Sequence, residues 1–383
     1  MIPSAGTPIT ISDILLSILK KTDLGDSLKR LLDAKHTYLV NSGTTAFYII
    51  LSALKRLSGK EEIILPAYTA PSLILPIKKA GLKYRLVDVS LETFNMDIDK
   101  TIEAISENTL AVLCIHMYGL PADIEKILEN KNGAYVVEDA ASSFGTRKDC
   151  RFTGTFGDIG FISFNRGKNL STVAGGLIAT DAPALAAATK EEIKQLRYPG
   201  ISTRIKMYFK AVGLSYAVRP WFYSILRRFV SKFKYTELHQ DFESYQYTRF
   251  QESLGGLLLN RNEKIFNKRE DNGLFLINGL KDIDGIIIPR LPDGWRVVFN
   301  QFPLLVEDEK RRDIVFENII KTGVEATKLY DKPIHRIYNN LTNGNDPFPN
   351  ATYMSKRLIL IPTHPYIEEK NMDKVIKSIK ESL

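Results

Sequence analysis

FGDIGFISFNRGKNLSTVAGG, Phe156 to Gly176, is the stretch whose reading decides the fold. Its first nine residues make an apolar, β-rich run, and its last six a turn of small residues. One lysine, Lys168, lies between them. A lone lysine is by default a solvated charge. A lysine just after a buried strand instead stands where α/β sheets present groups to ligands. A phosphate-binding loop of the Walker type needs glycine at 162 and Ser or Thr at 169. Ile162 and Asn169 stand there, so that reading is excluded.

Working outward, four more runs share the strand character: EEIILPAY (61–68), LKYRLVDV (82–89), TLAVLCIHMYG (109–119) and AYVVEDA (134–140). Helical patterns alternate with them: TAFYIILSALKRL (45–57), APSLILPIKKAG (70–81) and DIEKILENK (123–131). This alternation predicts an α/β fold whose large domain has a central, mostly parallel sheet covered on both faces. After Gly176 the pattern predicts a helix over 183–196, one long helix over 250–276, a β-rich stretch over 284–306 and a helix over 307–322. RLILIPTHP (357–365) then reads as a strand before a terminal helix. That is a smaller C-terminal α/β domain. The expected divisions are 1–200, a large domain; 201–240, a basic aromatic insert; and 241–383, a linking helix and small domain.

The composition sets outer limits. Of 383 residues, 44% are apolar and 25% charged, which is ordinary for a globular protein. Cys114 and Cys150 are the only cysteines. They cannot build a disulfide framework or a four-thiolate metal site, and no metal is expected. The expected setting is a reducing cytosol. The opening stretch lacks the basic start of a secretory signal, and no run of about 18 apolar residues predicts a spanning helix. The net charge is +8, and residues 193–236 hold ten Lys or Arg and no Asp or Glu. Subtracting those ten leaves −2, so the charge is local and does not argue for nucleic acid.

Two further clusters carry chemistry. NSGTTAF (41–47) leads small, hydroxylated residues into an apolar helix. Free amides and the helix dipole there favour an anion, with Gly43 allowing close approach and Thr44 and Thr45 adding donors. A plain N-cap by Ser42 or Thr44 is the alternative. YVVEDAASS (135–143) ends a buried strand in two acids. Asp139 there needs a cationic partner or solvent, or caps a helix.

Together with EEIILPAYT, LVDVSLETFNMD, IHMYGLPADIEKI, VVEDAASSFGT, GTFGDIGFISF and GKNLSTVAGG, these segments closely resemble the sugar aminotransferases of the DegT/DnrJ/EryC1/StrS family. Those proteins use pyridoxal 5′-phosphate on the fold-type-I scaffold. The similarity covers most of residues 35–180, and resumes near Gln251, in KTGVEAT and in LILIPTHP. It implies that Lys168 is the Schiff-base lysine and that Asp139 holds the pyridine nitrogen protonated. It implies that Gly43, Thr44 and Ser163 bind the phosphate, with Thr45 as a helper. It also implies a ping-pong transfer of nitrogen from glutamate or glutamine to a keto sugar carried on a nucleotide diphosphate, in surface polysaccharide (including lipopolysaccharide) or glycoside biosynthesis. A homodimer is implied too. Relatives that act as sugar dehydratases have histidine in place of this lysine, so Lys168 points to transamination. The residues agree: a nucleophilic lysine needs a lowered pKa, and a pyridinium needs an ionised carboxylate.

Some positions depart from the family pattern. Ser142 stands where glutamine is usual near the cofactor hydroxyl. Ala70 stands where an aromatic ring often stacks, a role Tyr68 is expected to fill unless it is a core residue. Ser244 and Gln246 replace an Asn-x-Arg pair that serves the partner subunit. His116 is expected to be structural. Arg166 faces either a substrate phosphate or water. The segment 205–235 has two readings. In one, it contacts anionic lipid, placing the protein at the inner face of the membrane; in the other, it packs on a partner. Two rival functions stay open: a pyridoxal-phosphate reaction on a non-sugar ketone, and a non-catalytic membrane-docked scaffold or regulator.

Overall fold

Every residue of the run Thr109–Ile115 is buried, as a strand covered on both faces must be. Each such aliphatic side chain stabilises the fold by about 1.5–3 kcal/mol. The computed structural model describes residues 1–224, 241–338 and 345–383. Among these, a seven-stranded sheet surrounds that run. Its strands are β1 (His36–Val40), β2 (Glu62–Pro66), β3 (Lys83–Val87), β4 (Thr109–Ile115), β5 (Tyr135–Asp139), β6 (Ile159–Ser163) and β7 (Gly176–Thr180), ordered β1-β7-β6-β5-β4-β2-β3. β6, β5, β4, β2 and β3 are parallel, while β7 opposes both its neighbours.

The helices of this part are α1 (Ile11–Leu19), α2 (Leu24–Leu32), α3 (Gly43–Leu57), α4 (Ile74–Lys79), α5 (Ile98–Ala104), α6 (Ile124–Asn130), α7 (Pro183–Lys194) and α8 (Ile201–Ala217). α3 starts where the Ser42 side chain accepts from the Thr45 amide, and it carries Lys55 and Arg56 in its last turn. Its start lies against the end of β6: a methyl on Gly43 would sit 3.0 Å from the Ser163 Cβ.

The small sheet is antiparallel and ordered β8 (Ile286–Ile287), β9 (Gln301–Val306), β10 (Leu358–Pro362). With it go α9 (Arg249–Leu259), α10 (Asn262–Leu280), α11 (Glu309–Lys321), α12 (Pro349–Arg357) and α13 (Glu369–Ser382). One apolar cluster runs through both sheets, from Leu65 and Leu113 to Leu304 and Ile359.

The expected helix over 250–276 is two helices, with the break at Asn260–Arg261. Asparagine is a weak helix former, and Arg261 turns to pair with Asp13 at 2.7 Å. Before the break, Gly255 and Gly256 pack so tightly on Leu24 and Thr22 that a methyl at either would collide. The break therefore lets α9 follow α1 and α2 while α10 follows the small sheet. The sequence reading also missed α1, α2, β1 and β7. Of the segment 205–235, residues 225–235 lie outside the described residues.

Candidate active site

β4, β5 and β6 all end on one side of the sheet, and a cavity of about 250 Å³ opens there. Asp139, the last residue of β5, is 6% exposed. It accepts from the Ala141 amide at 2.9 Å. Burial pushes its carboxyl above the ordinary aspartate value, against the pull of that amide, Lys168 and His116. Behind it, Glu138 and His116 are wholly buried and satisfied. Glu138 accepts from the amides of Gly154 and Gly157 at 2.8 and 2.5 Å and lies 2.9 Å from His116 Nε2. His116 Nδ1 accepts from the Ala122 amide at 3.0 Å, so Nε2 is the donor to Glu138. This geometry gives His116 a structural place.

The chain leaves β6 at Ser163 and turns through Gly167, whose φ of +81° suits glycine. The turn delivers Lys168 into the cavity, where Nζ donates to Ser142 Oγ at 2.9 Å. The residue is partly exposed, but its amine is enclosed. That burial lowers its pKa, and the nearby Asp139 carboxylate only partly opposes the shift. The Thr7 hydroxyl bonds the Lys168 carbonyl from the N-terminal segment.

Asp139, Ser142, Lys168 and Arg166 thus share one cavity. Among the described residues, no ion pair to Arg166 occurs. Gly43 and Ser163 meet each other at adjacent strand and helix ends but are not walls of that cavity. The amides of Gly43 and Thr44 occupy the first two helical positions, which have no intrahelical acceptor. Thr45 is fully buried. Its hydroxyl accepts from Ser42 and lies 3.5 Å from the Glu243 carbonyl and 3.4 Å from Ser244 Oγ, so it ties the 243–244 segment to the helix start. Gln246 is likewise engaged, donating to the Leu196 carbonyl at 2.8 Å.

Tyr68 departs from its expected role. It is 1% exposed, donates to the Tyr330 carbonyl at 3.2 Å, and is not a wall of the cavity. Position 70, two residues further on, does face the cavity, and alanine there leaves room. Sequence reading missed the walls that come from afar: Ala5, Asn300, Gln301 and Tyr330. It also missed Tyr118, although HMYG had been singled out. Tyr118 has φ +61°, uncommon for a non-glycine residue. Its carbonyl accepts from the Asn300 amide at 2.8 Å. Its hydroxyl is buried against that of Tyr68, Asn300 Oδ1 is buried without a partner, and both residues line the cavity. Buried Arg269 braces this wall, donating to the Asn300 carbonyl at 2.8 Å and to those of Phe299 and Gly6 at 3.3 and 3.4 Å. Burial pushes its pKa down to about 9.

A larger groove of about 390 Å³ lies near Trp295. Its cations are paired, Lys148 with Glu125 and Arg290 with Glu92, both at 2.8 Å. It offers no enclosed nucleophile.

A family model for the DegT/DnrJ/EryC1/StrS aminotransferases matches residues 16–380. The chain belongs to that family. It is 27% identical over 359 residues to the spore coat polysaccharide biosynthesis protein SpsC of Bacillus subtilis, covering 91% of this chain and 85% of that one. Its fold matches the sugar aminotransferase CalS13 from Micromonospora echinospora with a TM-score of 0.79, at 20% identity and full coverage of both chains. It also matches the E. coli GDP-4-keto-6-deoxy-D-mannose-3-dehydratase, a structure with bound hydrated PLP, with a TM-score of 0.77, 19% identity and 99% coverage of each. The family is one of pyridoxal 5′-phosphate-dependent aminotransferases, and sugar dehydratases stand among this chain's relatives. The residues here fit that cofactor. A buried acid with no ion pair among the described residues, an enclosed amine and a glycine-led helix start beside the end of β6 suit a pyridinium, an aldehyde and a phosphate in turn.

Proposed function

We propose that this protein moves an amino group from glutamate or glutamine to a keto sugar, carried on a nucleotide diphosphate, for surface polysaccharide or glycoside biosynthesis. The observation that carries the reading is Lys168 Nζ, enclosed in the cavity with Asp139 and bonded to Ser142 at 2.9 Å. A lysine in this place, rather than histidine, favours transamination over dehydration. The partnerless Asn300 amide oxygen, an acceptor on the cavity wall, suits a substrate rich in hydroxyls.

Gly43, Thr44 and Ser163 would hold the cofactor phosphate, and Asp139 its ring nitrogen. When bound, the cofactor supplies an electron sink that acidifies the hydrogen on the donor's α-carbon. The chain does the rest. Asp139 stays ionised opposite a ring cation, which supplies the countercharge that burial denies it in the free protein. Lys168 Nζ takes the proton from the donor's α-carbon. Its lowered pKa leaves more of the amine neutral near neutral pH, so the rate rises with pH through that pKa. By family resemblance the working unit is a homodimer, and the low cysteine count suits a reducing cytoplasm.

The test starts with purified, cofactor-loaded protein. Glutamate or glutamine should bleach its visible absorbance, and a nucleotide-linked keto sugar should restore it and gain an amine by mass spectrometry. Bleaching without restoration by any keto sugar, but with restoration by a simple keto acid, would favour the non-sugar ketone. Protein that takes up no cofactor would favour a scaffold.

A further inference from the structure

α8 is apolar on two sides. Inward, Ala211 and Ser215 are buried, and the Tyr208 and Phe250 ring centroids lie 4.1 Å apart. Outward, Ile201, Ile205, Phe209, Val212 and Tyr216 recur every three or four residues, which makes one stripe along a helix. Phe209 is 74% exposed and Ile201 67%. α1, which packs beside α8, adds Leu15, Ile18 and Leu19, the last 79% exposed. Trp221, just beyond α8, is 61% exposed. Apolar helix faces are normally buried, yet the described residues cover only one of these two sides. Contiguous exposed apolar surface of this kind marks an interaction site.

Charge selects the occupant. Exposed Lys206 and Lys210 flank the stripe, and exposed Lys20 and Lys21 follow α1, ahead of exposed Asp23 and Asp26 at the start of α2. α8 holds no acid at all. The single acid of α1, Asp13, is buried and paired with Arg261. A second copy whose two-fold axis ran through this face would set the stripe on itself. Lysines would then face lysines, with no exposed acid on either helix to separate them. An anionic lipid surface has no such conflict. The apolar side chains enter the headgroup boundary while the lysine stems lie along it and their amines reach phosphates. Trp221 is a side chain suited to that depth. Among the described residues no helix is long and apolar enough to cross a membrane, so the contact is with its surface.

We propose that the outward face of α1 and α8 docks this enzyme on an anionic phospholipid bilayer. The inference is independent of the active-site reading. To test it, the cofactor-loaded protein is sedimented with vesicles of phosphatidylcholine, with and without phosphatidylglycerol, at low and high salt. It pellets with the anionic vesicles at low salt and is released by high salt. Lys206→Glu with Lys210→Glu lowers that binding roughly tenfold or more. Phe209→Glu abolishes it, with folding checked by an unchanged melting temperature. No pelleting with anionic vesicles at low salt overturns the proposal, as does full pelleting of Phe209→Glu. A halved molecular mass for Phe209→Glu in analytical ultracentrifugation also overturns it, because a second copy then occupies the face.

Discussion

Asp139 is a carboxyl enclosed at the end of β5, and Phe209 is an aromatic ring standing 74% in water on α8. One is polar and buried; the other is apolar and exposed. Folding alone rewards neither placement. Nearby residues show that the chain can do better: Glu138, next to Asp139, has three partners, and Tyr208, next to Phe209, has the Phe250 ring. Misfits beside well-satisfied neighbours point to partners outside the chain. For Asp139 that partner is a ring cation; for Phe209 it is a surface.

If Asp139 serves a ligand and not the fold, activity and stability must separate. Asp139→Asn lowers kcat roughly 10⁴-fold, the upper range for losing a group that acts on proton transfer. The melting temperature of its cofactor-free form at neutral pH does not fall. The sign follows from the raised pKa. A carboxyl whose folded pKa lies above its unfolded value costs stability as pH rises past the unfolded value, and asparagine removes that cost. A variant of Asp139 that melts well below the parent would break the comparison with Phe209.

Gly119, behind the cavity wall, obeys the opposite rule, because it serves the fold. A methyl on Gly119, at φ +104°, would run into the Val298 carbonyl and sit 2.9 Å from Phe299 Cα. Gly119→Ala should cost about 3 kcal/mol or more, read from denaturant unfolding, and should reduce cofactor uptake through the displaced Tyr118 turn.

His364 ties the N-terminal segment down by donating from Nε2 to the Pro3 carbonyl at 2.7 Å. Burial pushes its pKa down to about 4 from 6.5. Between those values the unfolded chain binds a proton that the folded one refuses, so stability falls as pH drops from 6.5 to about 4. The loss is about 3 kcal/mol. Replacing His364 by glutamine should flatten that part of the stability profile. At the small end, Phe209→Ser should change stability by less than about 0.5 kcal/mol, since the ring touches little. A larger loss would mean that α8 needs its outward stripe to fold.

These contrasts also explain what was legible in sequence. β4, β5 and β6 announce themselves because burial on both faces leaves unbroken apolar runs. Lys168 and Asp139 follow directly from their ends. β1 opens on the polar pair His36 and Thr37, and GLIAT of β7 runs straight on from the small-residue turn before it, so neither stands out. Asn300 and Tyr330 reach the cavity by chain crossing, from more than a hundred residues away, and nothing local marks them. The polar pair in FNQF, entering an apolar strand, was the only available hint. Tyr68 misled because its strand end does reach the site, but its own side chain points back to Tyr330. The outward stripe of α8 was visible only as bulk and charge; which side of the helix it occupies needed the fold.

The most direct measurement is to reduce the cofactor-loaded protein with borohydride and map the modified peptide by mass spectrometry. The pyridoxyl mass should fall on Lys168, within the peptide that follows β6, and Lys168→Ala should carry none. Modification of another lysine, or an unchanged yield in Lys168→Ala, would contradict the site described here.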